Sequence, residues 1–552
     1  MKRMPLLSGH CRRYYNVENL LVKRSGKGHP MQLSKTVIKL LKNILNMLSS
    51  TKDPVFAALT AELQQLRLRL DEPLRVAIVG LMKAGKSTLM NALLQEKILY
   101  TATLEATYTI TWFKYGETPR IRVVFKDGHT QDARYDDLEN WTVRPTGAEK
   151  TRLDDVAYVE IYYPNELLKT MELIDTPGLE STHGTDSQNT MDFLGQRLSK
   201  EADKLTSEAA SQAEAIVYAF SRGAAGRDAD VLDAFKGDAG NSSPINAIGV
   251  FTKADVYWNC AESPESDPLE IVADACDTYR KKLKDKLYTI LPVVAKPVET
   301  VCELSDRAYD ILKRLAAIDT PVLVDFLVDA SLFSTEPEDV DMPIPPIDRR
   351  YVLDLFGQYG LYTATQAIRR GIPREGLAEH LYARSGVDRA SKLILRHFGN
   401  RAYLIKLEYI LRRLRTEAGR IRHLNGVSPA AIRMCERIVE DIDALRDDEQ
   451  MFKELAVLQA YYNGDFSFSD PEAERQFLEI TGEYGYGCEA RLGFSEPNAI
   501  NVLKKEALTR SALWSALAND IGSPRAVNQA ADVIVRSCDS MYYHLDMLSG
   551  FD

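Results

Sequence analysis

Three short stretches of this chain carry residue types at spacings that could hold a polyphosphate, its metal ion and a nucleobase. The first is Gly80-Leu-Met-Lys-Ala-Gly-Lys-Ser-Thr88, which fits the pattern Gly-x-x-x-x-Gly-Lys-Ser at Gly80, Gly85, Lys86 and Ser87. Glycines let backbone N–H groups curl around phosphate oxygens where a Cβ would obstruct them. Gly80, Lys83, Ala84, Gly85, Lys86, Ser87 and Thr88 form the expected cradle, with Lys86 on the β- and γ-phosphates and the Ser87 hydroxyl on Mg²⁺. The second stretch, Met171-Glu-Leu-Ile-Asp-Thr-Pro-Gly-Leu179, ends an apolar run in Asp-x-x-Gly. Asp175 is expected to hold Mg²⁺ through water, and the Gly178 N–H to meet the γ-phosphate, so that this segment orders with triphosphate. The third is Thr252-Lys-Ala-Asp255. A carboxylate at Asp255 accepts both N1–H and the exocyclic amine of guanine, while the Lys253 stem covers the ring. Adenine lacks that donor pair, so the motif favours GTP and GDP over adenine nucleotides. Ala295-Lys296 is a weaker signal for a further base-contacting loop.

These groups work only if strands and helices hold them. Val76–Val79 reads as a buried strand running into Gly80, and a helix with Leu89, Leu93 and Leu94 on its buried side begins near Thr88. Strand-like runs follow at 109–115, 120–125, 156–163, 171–174, 215–220, 245–251 and 290–294. Helical patterns lie between several of them, so an α/β domain is expected, a mainly parallel sheet with helices on both faces. A further threonine on Mg²⁺ must precede Asp175. Thr101, Thr103, Thr107, Thr109 and Thr111 are candidates, and Thr107 stands best placed, just before the strand. Upstream, Leu33, Val37, Leu40, Ile44 and Met47 form one helical stripe, and Leu59, Leu63, Leu66 and Leu70 another. No apolar surface within residues 1–72 is large enough to cover them. They are expected to join the helices after residue 400, where Leu404, Leu407, Leu411, Leu414, Ala418 and Ile421 keep the same spacing. The resulting division is a basic, disordered tail (1–30), N-terminal helices (31–72), a nucleotide domain (73–400, motifs within 80–296) and a C-terminal helical bundle (401–552).

Composition narrows the function classes. A chain of 552 residues exceeds one core. A net charge of −10 with no basic domain sets nucleic acid aside as a partner. The seven scattered cysteines contain no Cys-x-x-Cys pair, which fits a reducing cytoplasm. No apolar run approaches a membrane span. Residues 1–30 hold seven Lys/Arg against one Glu. They read as a tail, as sequence upstream of a start at Met31, or as a contact for an anionic membrane surface.

The run from Gly80 to Leu94, the segment Leu99–Gly116, Asp-Thr-Pro-Gly-Leu and Thr-Lys-Ala-Asp together resemble bacterial dynamin-like GTPases. The resemblance covers 73 to about 300 and is only architectural for the helices around it. It implies a GTPase domain on a helical neck and stalk, hydrolysis of GTP to GDP and phosphate, and dimerisation across the nucleotide sites. It also implies partnership with a second copy or a related protein, often on a membrane. Aligning Leu99–Gly116 with the family's first switch places the Mg²⁺-binding threonine on Thr107. Dynamins proper carry Gln and Ser at the positions of Met82 and Lys83, and Met82 cannot position water. Lys83 occupies the place where guanylate-binding proteins and atlastins carry an arginine finger. Lys83, Lys86, Thr107 and Gly178 are therefore the expected catalytic set. A septin-like scaffold, with GTP mainly structural, is the competing reading.

Overall fold

The computed structural model describes residues 30–549 apart from 52, 71, 82, 100–108, 143–154, 177–212, 222–231, 233–243, 259–261, 284–285, 336–342 and 486, and apart from the side chains of 30–35 and 463. The apolar runs build one nine-stranded sheet. Its strands are β1 (Leu74–Val79), β2 (Thr111–Tyr115), β3 (Arg120–Phe125), β4 (Thr130–Ala133), β5 (Val156–Tyr163), β6 (Met171–Asp175), β7 (Ala215–Phe220), β8 (Ala247–Phe251) and β9 (Ile290–Pro292). In space they run β4–β3–β5–β2–β6–β1–β7–β8–β9. β1 lies between β6 and β7, parallel to both, and β8 and β9 continue that parallel half. Helices cover both faces of this half, so its strands read as unbroken apolar runs rather than alternating ones. On the other side β2 pairs antiparallel with β6, and β3 pairs antiparallel with β4 and β5.

Three local readings change. Strand β4 has the polar sequence Thr-Gln-Asp-Ala and stands exposed at the sheet edge, with no apolar alternation to announce it. β8 begins at Ala247 because Pro244–Asn246 forms a 3₁₀ turn. β9 ends at Pro292, which has no N–H to extend the ladder.

The helices at the two ends of the chain share a core. Helix α1 (Pro30–Thr51) and helix α2 (Ala57–Arg69) pack with α6 (Asn400–Arg422) and α7 (Pro429–Asp448). The α2 stripe is buried as expected at Leu59, Leu63, Leu66 and Leu70. On α1 the buried face is Val37, Leu41, Ile44 and Leu48, while Leu40 and Met47 are only partly covered. The facing helices settled that register. A second core, around Phe477, Trp514, Ile534 and Met541, gathers the chain beyond residue 458.

The expected boundary at residue 400 falls inside one continuous helix. Val387–Ile394, a π turn at Leu395–Gly399, and α6 follow one another without a break. Its first part packs beneath the sheet through Val387, Ile394 and Phe398, and its second part enters the bundle. Two buried polar joints fasten the bundle at the ends of the strands opposite Gly80. Arg69 Nε donates to Glu214 Oε1 at 3.1 Å, and Lys406 Nζ donates to the Leu70 and Glu72 carbonyls at 2.6 Å each. At the second joint, Arg401 Nη1 donates to Glu483 Oε2 at 2.7 Å and the Tyr288 hydroxyl to Glu483 Oε1 at 2.9 Å. Buried ion pairs of this kind fix an orientation more than they add stability.

Candidate nucleotide site

At the end of β1 the chain turns sharply, and backbone geometry explains which residues stand there. Gly80 has φ 157°, and a Cβ at this position would fall 2.1 Å from the Ala219 carbonyl oxygen of β7. Lys83 (φ 60°) and Gly85 (φ 80°) both lie in the left-handed region. For Lys83 that conformation is strained and must be held by its surroundings. It is held by the third motif. Lys253 Nζ donates to the Lys83 carbonyl at 2.8 Å, and Thr252 Oγ1 donates to the Ala84 carbonyl at 2.5 Å and the Phe220 carbonyl at 3.1 Å. The Thr252 hydroxyl therefore joins loop to loop. Helix α3 (Lys86–Leu94) starts at the cradle, and Thr88 lies in its first turn.

Lys86 is buried. Its ammonium folds back onto the Gly80 and Leu81 carbonyls at 3.2 and 3.4 Å. Burial lowers its pKa to about 8, against the opposing pull of the Asp175 charge. A polyphosphate would restore the protonated form, so Lys86 takes up a proton on binding at alkaline pH. GDP affinity should therefore be flat below pH 7.5 and fall about tenfold per unit between roughly pH 8.5 and 10. Titration calorimetry in buffers of different ionisation heat checks both the slope and the proton uptake.

Ser87 Oγ donates to Asp175 Oδ2 at 3.0 Å, and Asp175 is fully buried. A hydroxyl and a carboxylate side by side are the hard oxygen donors that Mg²⁺ takes, so the residues fit the ion. Thr176, which the sequence reading passed over, donates from Oγ1 to the Ile78 carbonyl at 2.9 Å and ties the end of β6 to β1. Asn91 was also missed. Its side chain on α3 donates to the Leu99 carbonyl (2.9 Å) and Glu299 Oε1 (2.7 Å) and accepts from the Ile98 and Leu99 N–H groups. The signal for it was an amide on the buried face of an otherwise apolar helix. Thr107, Gly178 and Met82 lie outside the described residues.

Asp255 follows β8 in a short 3₁₀ turn, Ala254–Tyr257. Burial raises its carboxyl pKa, and the charges of Lys296 and Lys253 oppose the rise. Lys296 opens helix α4 (Lys296–Cys302) directly after Ala295, so the weak fourth signal stands beside the third. Lys83 is exposed on its turn. Gly80, Lys86, Ser87, Asp175, Asp255 and Ala295 thus gather at the carboxyl ends of β1, β6, β8 and β9, where parallel α/β sheets place their ligands.

Residues 76–254 match the dynamin family. The isoniazid-induced protein IniC of Mycobacterium tuberculosis is 25% identical over 484 residues, which are 87% of this chain and 92% of that one. Dynamin-like protein 2 of Campylobacter jejuni is 31% identical over 137 residues, 25% of this chain and 22% of that one. Among solved structures, an oligomerised bacterial dynamin pair aligns over 96% of this chain and 76% of its own at 16% identity, with a TM-score of 0.30, too low to support an inference about shape. The matched range holds the cradle and the buried Ser87–Asp175 pair and ends one residue before Asp255; this segment is a GTP-hydrolysing domain of the dynamin family.

Proposed function

We propose that this protein is a dynamin-like GTPase that binds GTP with Mg²⁺, hydrolyses it to GDP and phosphate, and pairs through its nucleotide site so that the cycle moves the helical part. The observation that carries the reading is the bonding between motifs: Thr252 on Ala84 and Lys253 on Lys83. The phosphate loop and the base loop are one assembly, suited to a ligand with both parts. In this reading Lys86 leaves the Gly80 and Leu81 carbonyls for the β- and γ-phosphates. Ser87 and Asp175 hold Mg²⁺, with Thr107 joining them, and Gly178 offers its N–H to the γ-phosphate. When bound, the ion supplies neutralising charge on the phosphate oxygens. Asp255 accepts the two guanine N–H groups, and Lys296 stands beside it.

In this reading Lys83 is the stimulating cation. Its exposed side chain rises from a strained turn, where a second domain docking face to face would press the loop inward and bring the ammonium onto the phosphates. Turnover per molecule should then rise with protein concentration. Lys83→Ala should lose that rise while keeping GDP affinity within about threefold, since a lysine acts as a point charge rather than a fork. Full stimulation in the alanine variant would assign the effect to another cation.

The partner in this reading is a second copy or a related chain. The bacterial dynamin pair mentioned above is described as sensing and tethering membranes over long range. No described helix here is long and apolar enough to cross a membrane. The proposed setting is the cytoplasm, with peripheral contact to an anionic membrane surface. GTP turnover measured against protein concentration, with and without anionic liposomes, tests the whole reading. Turnover that stays slow and independent of concentration would favour a GTP-binding scaffold.

A further inference from the structure

A long helix outside the nucleotide motifs reaches the base site. Helix α5 (Pro346–Arg369) is broken at Gly357, which has φ 68° and ψ 171°. Only glycine occupies that region without strain. The break lies against Asp255: a Cβ built on Gly357 would stand 3.6 Å from Asp255 Oδ2. Both halves of the helix are fastened to α4, which lies beside this carboxylate. Before the break, the Leu355 carbonyl accepts a hydrogen bond from Thr300 Oγ1 of α4 at 2.5 Å. After it, the Gly360 backbone approaches Pro297 so closely that a Cβ would fall 2.6 Å from the proline Cγ. Tyr359 and Tyr362 pack on Trp258, three residues beyond Asp255, with ring centroids 5.6 and 5.1 Å away.

We infer that the break in α5 forms the back wall of the nucleobase site and that Gly357 is a positioning residue for guanine specificity. The inference rests on Asp255 as the guanine-reading group. Two parallel hydrogen bonds from N1–H and the C2 amine require the carboxylate to lie in the plane of the base, so its rotamer must be held. Glycine lets the chain break so close to the carboxylate that an added Cβ would already touch Oδ2. A side chain at 357 would strain the break and so shift the helix that stands against Oδ2. The same helix sets the spacing between the Asp255 turn and α4, because it is bonded or packed to both.

Calorimetry with the full chain tests this, using GDP and inosine diphosphate, which lacks the C2 amine. The wild-type protein should prefer GDP by at least about tenfold, the value of one hydrogen bond to a charged group. Gly357→Ala should weaken GDP by about tenfold and inosine diphosphate far less, collapsing the preference to within about threefold. A purely structural break would weaken both ligands equally, so an unchanged preference in a folded Gly357→Ala protein overturns the inference. Thr300→Val keeps shape and removes only the bond to Leu355, and decides the matter if the first variant does not fold. It should lower the preference at least about twofold, and no change would be fatal to the proposal. A wild-type protein with no preference would instead remove the Asp255 reading itself, and this inference with it.

Discussion

Lys86→Ala is expected to abolish measurable GTP turnover and to weaken GDP by about 3–5 kcal/mol, because it removes a buried, hydrogen-bonded cation from the phosphates. The expected effect on the ligand-free protein is small. Lys86 is held charged in the interior at a desolvation cost, and burial already lowers its pKa to about 8. Alanine removes that cost along with two long hydrogen bonds to the Gly80 and Leu81 carbonyls. The melting temperature without nucleotide should therefore stay close to the wild-type value, while the stabilisation by GDP disappears. Differential scanning calorimetry with and without GDP separates the two. Normal hydrolysis by the variant would refute the assignment of the phosphate loop.

Asp255→Asn is the second large effect expected. Guanine would exchange a charged acceptor pair for one neutral acceptor and a misplaced donor, weakening GTP by about 2–3 kcal/mol. Xanthine carries an oxygen in place of the C2 amine, so the new amide should gain xanthosine nucleotides as the variant loses guanosine ones. Competition binding with the two nucleotides reads the exchange directly. The ligand-free protein should not suffer. The folded-state pKa of Asp255 is raised by burial. The folded protein therefore binds the proton more tightly than the unfolded chain, and stability from this group is lost as pH rises through the folded pKa. A neutral amide escapes that loss at pH 7. Equal affinity of the unmutated protein for GTP and ATP would end the guanine reading.

Much of the site was legible because its chemistry is local. Gly80, Gly85, Lys86 and Ser87 sit within eight residues of sequence, and the turn they make is dictated by backbone sterics at those positions. Asp175 and Asp255 each end an apolar run, and a strand end in a parallel sheet is where a ligand can reach. The buried stripes of α2 and α6 were equally readable, since helical periodicity identifies a face whenever polar residues mark its opposite side. Where both neighbours are apolar, as at Leu40-Leu41 and Met47-Leu48, periodicity leaves two registers, and only the partner helices selected Leu41 and Leu48.

What the sequence determined by itself, then, is the set of elements and the reactive groups at their ends. What only the tertiary structure decided is which distant segments hold those groups in place. Thr252 reaches Ala84 across 168 residues, Arg69 meets Glu214 across 145, and Thr300 supports the helix whose break backs Asp255. Periodicity and turn chemistry act over a few residues, whereas these contacts depend on how whole layers dock, and a lone threonine, arginine or glycine carries no local mark of the partner it will meet.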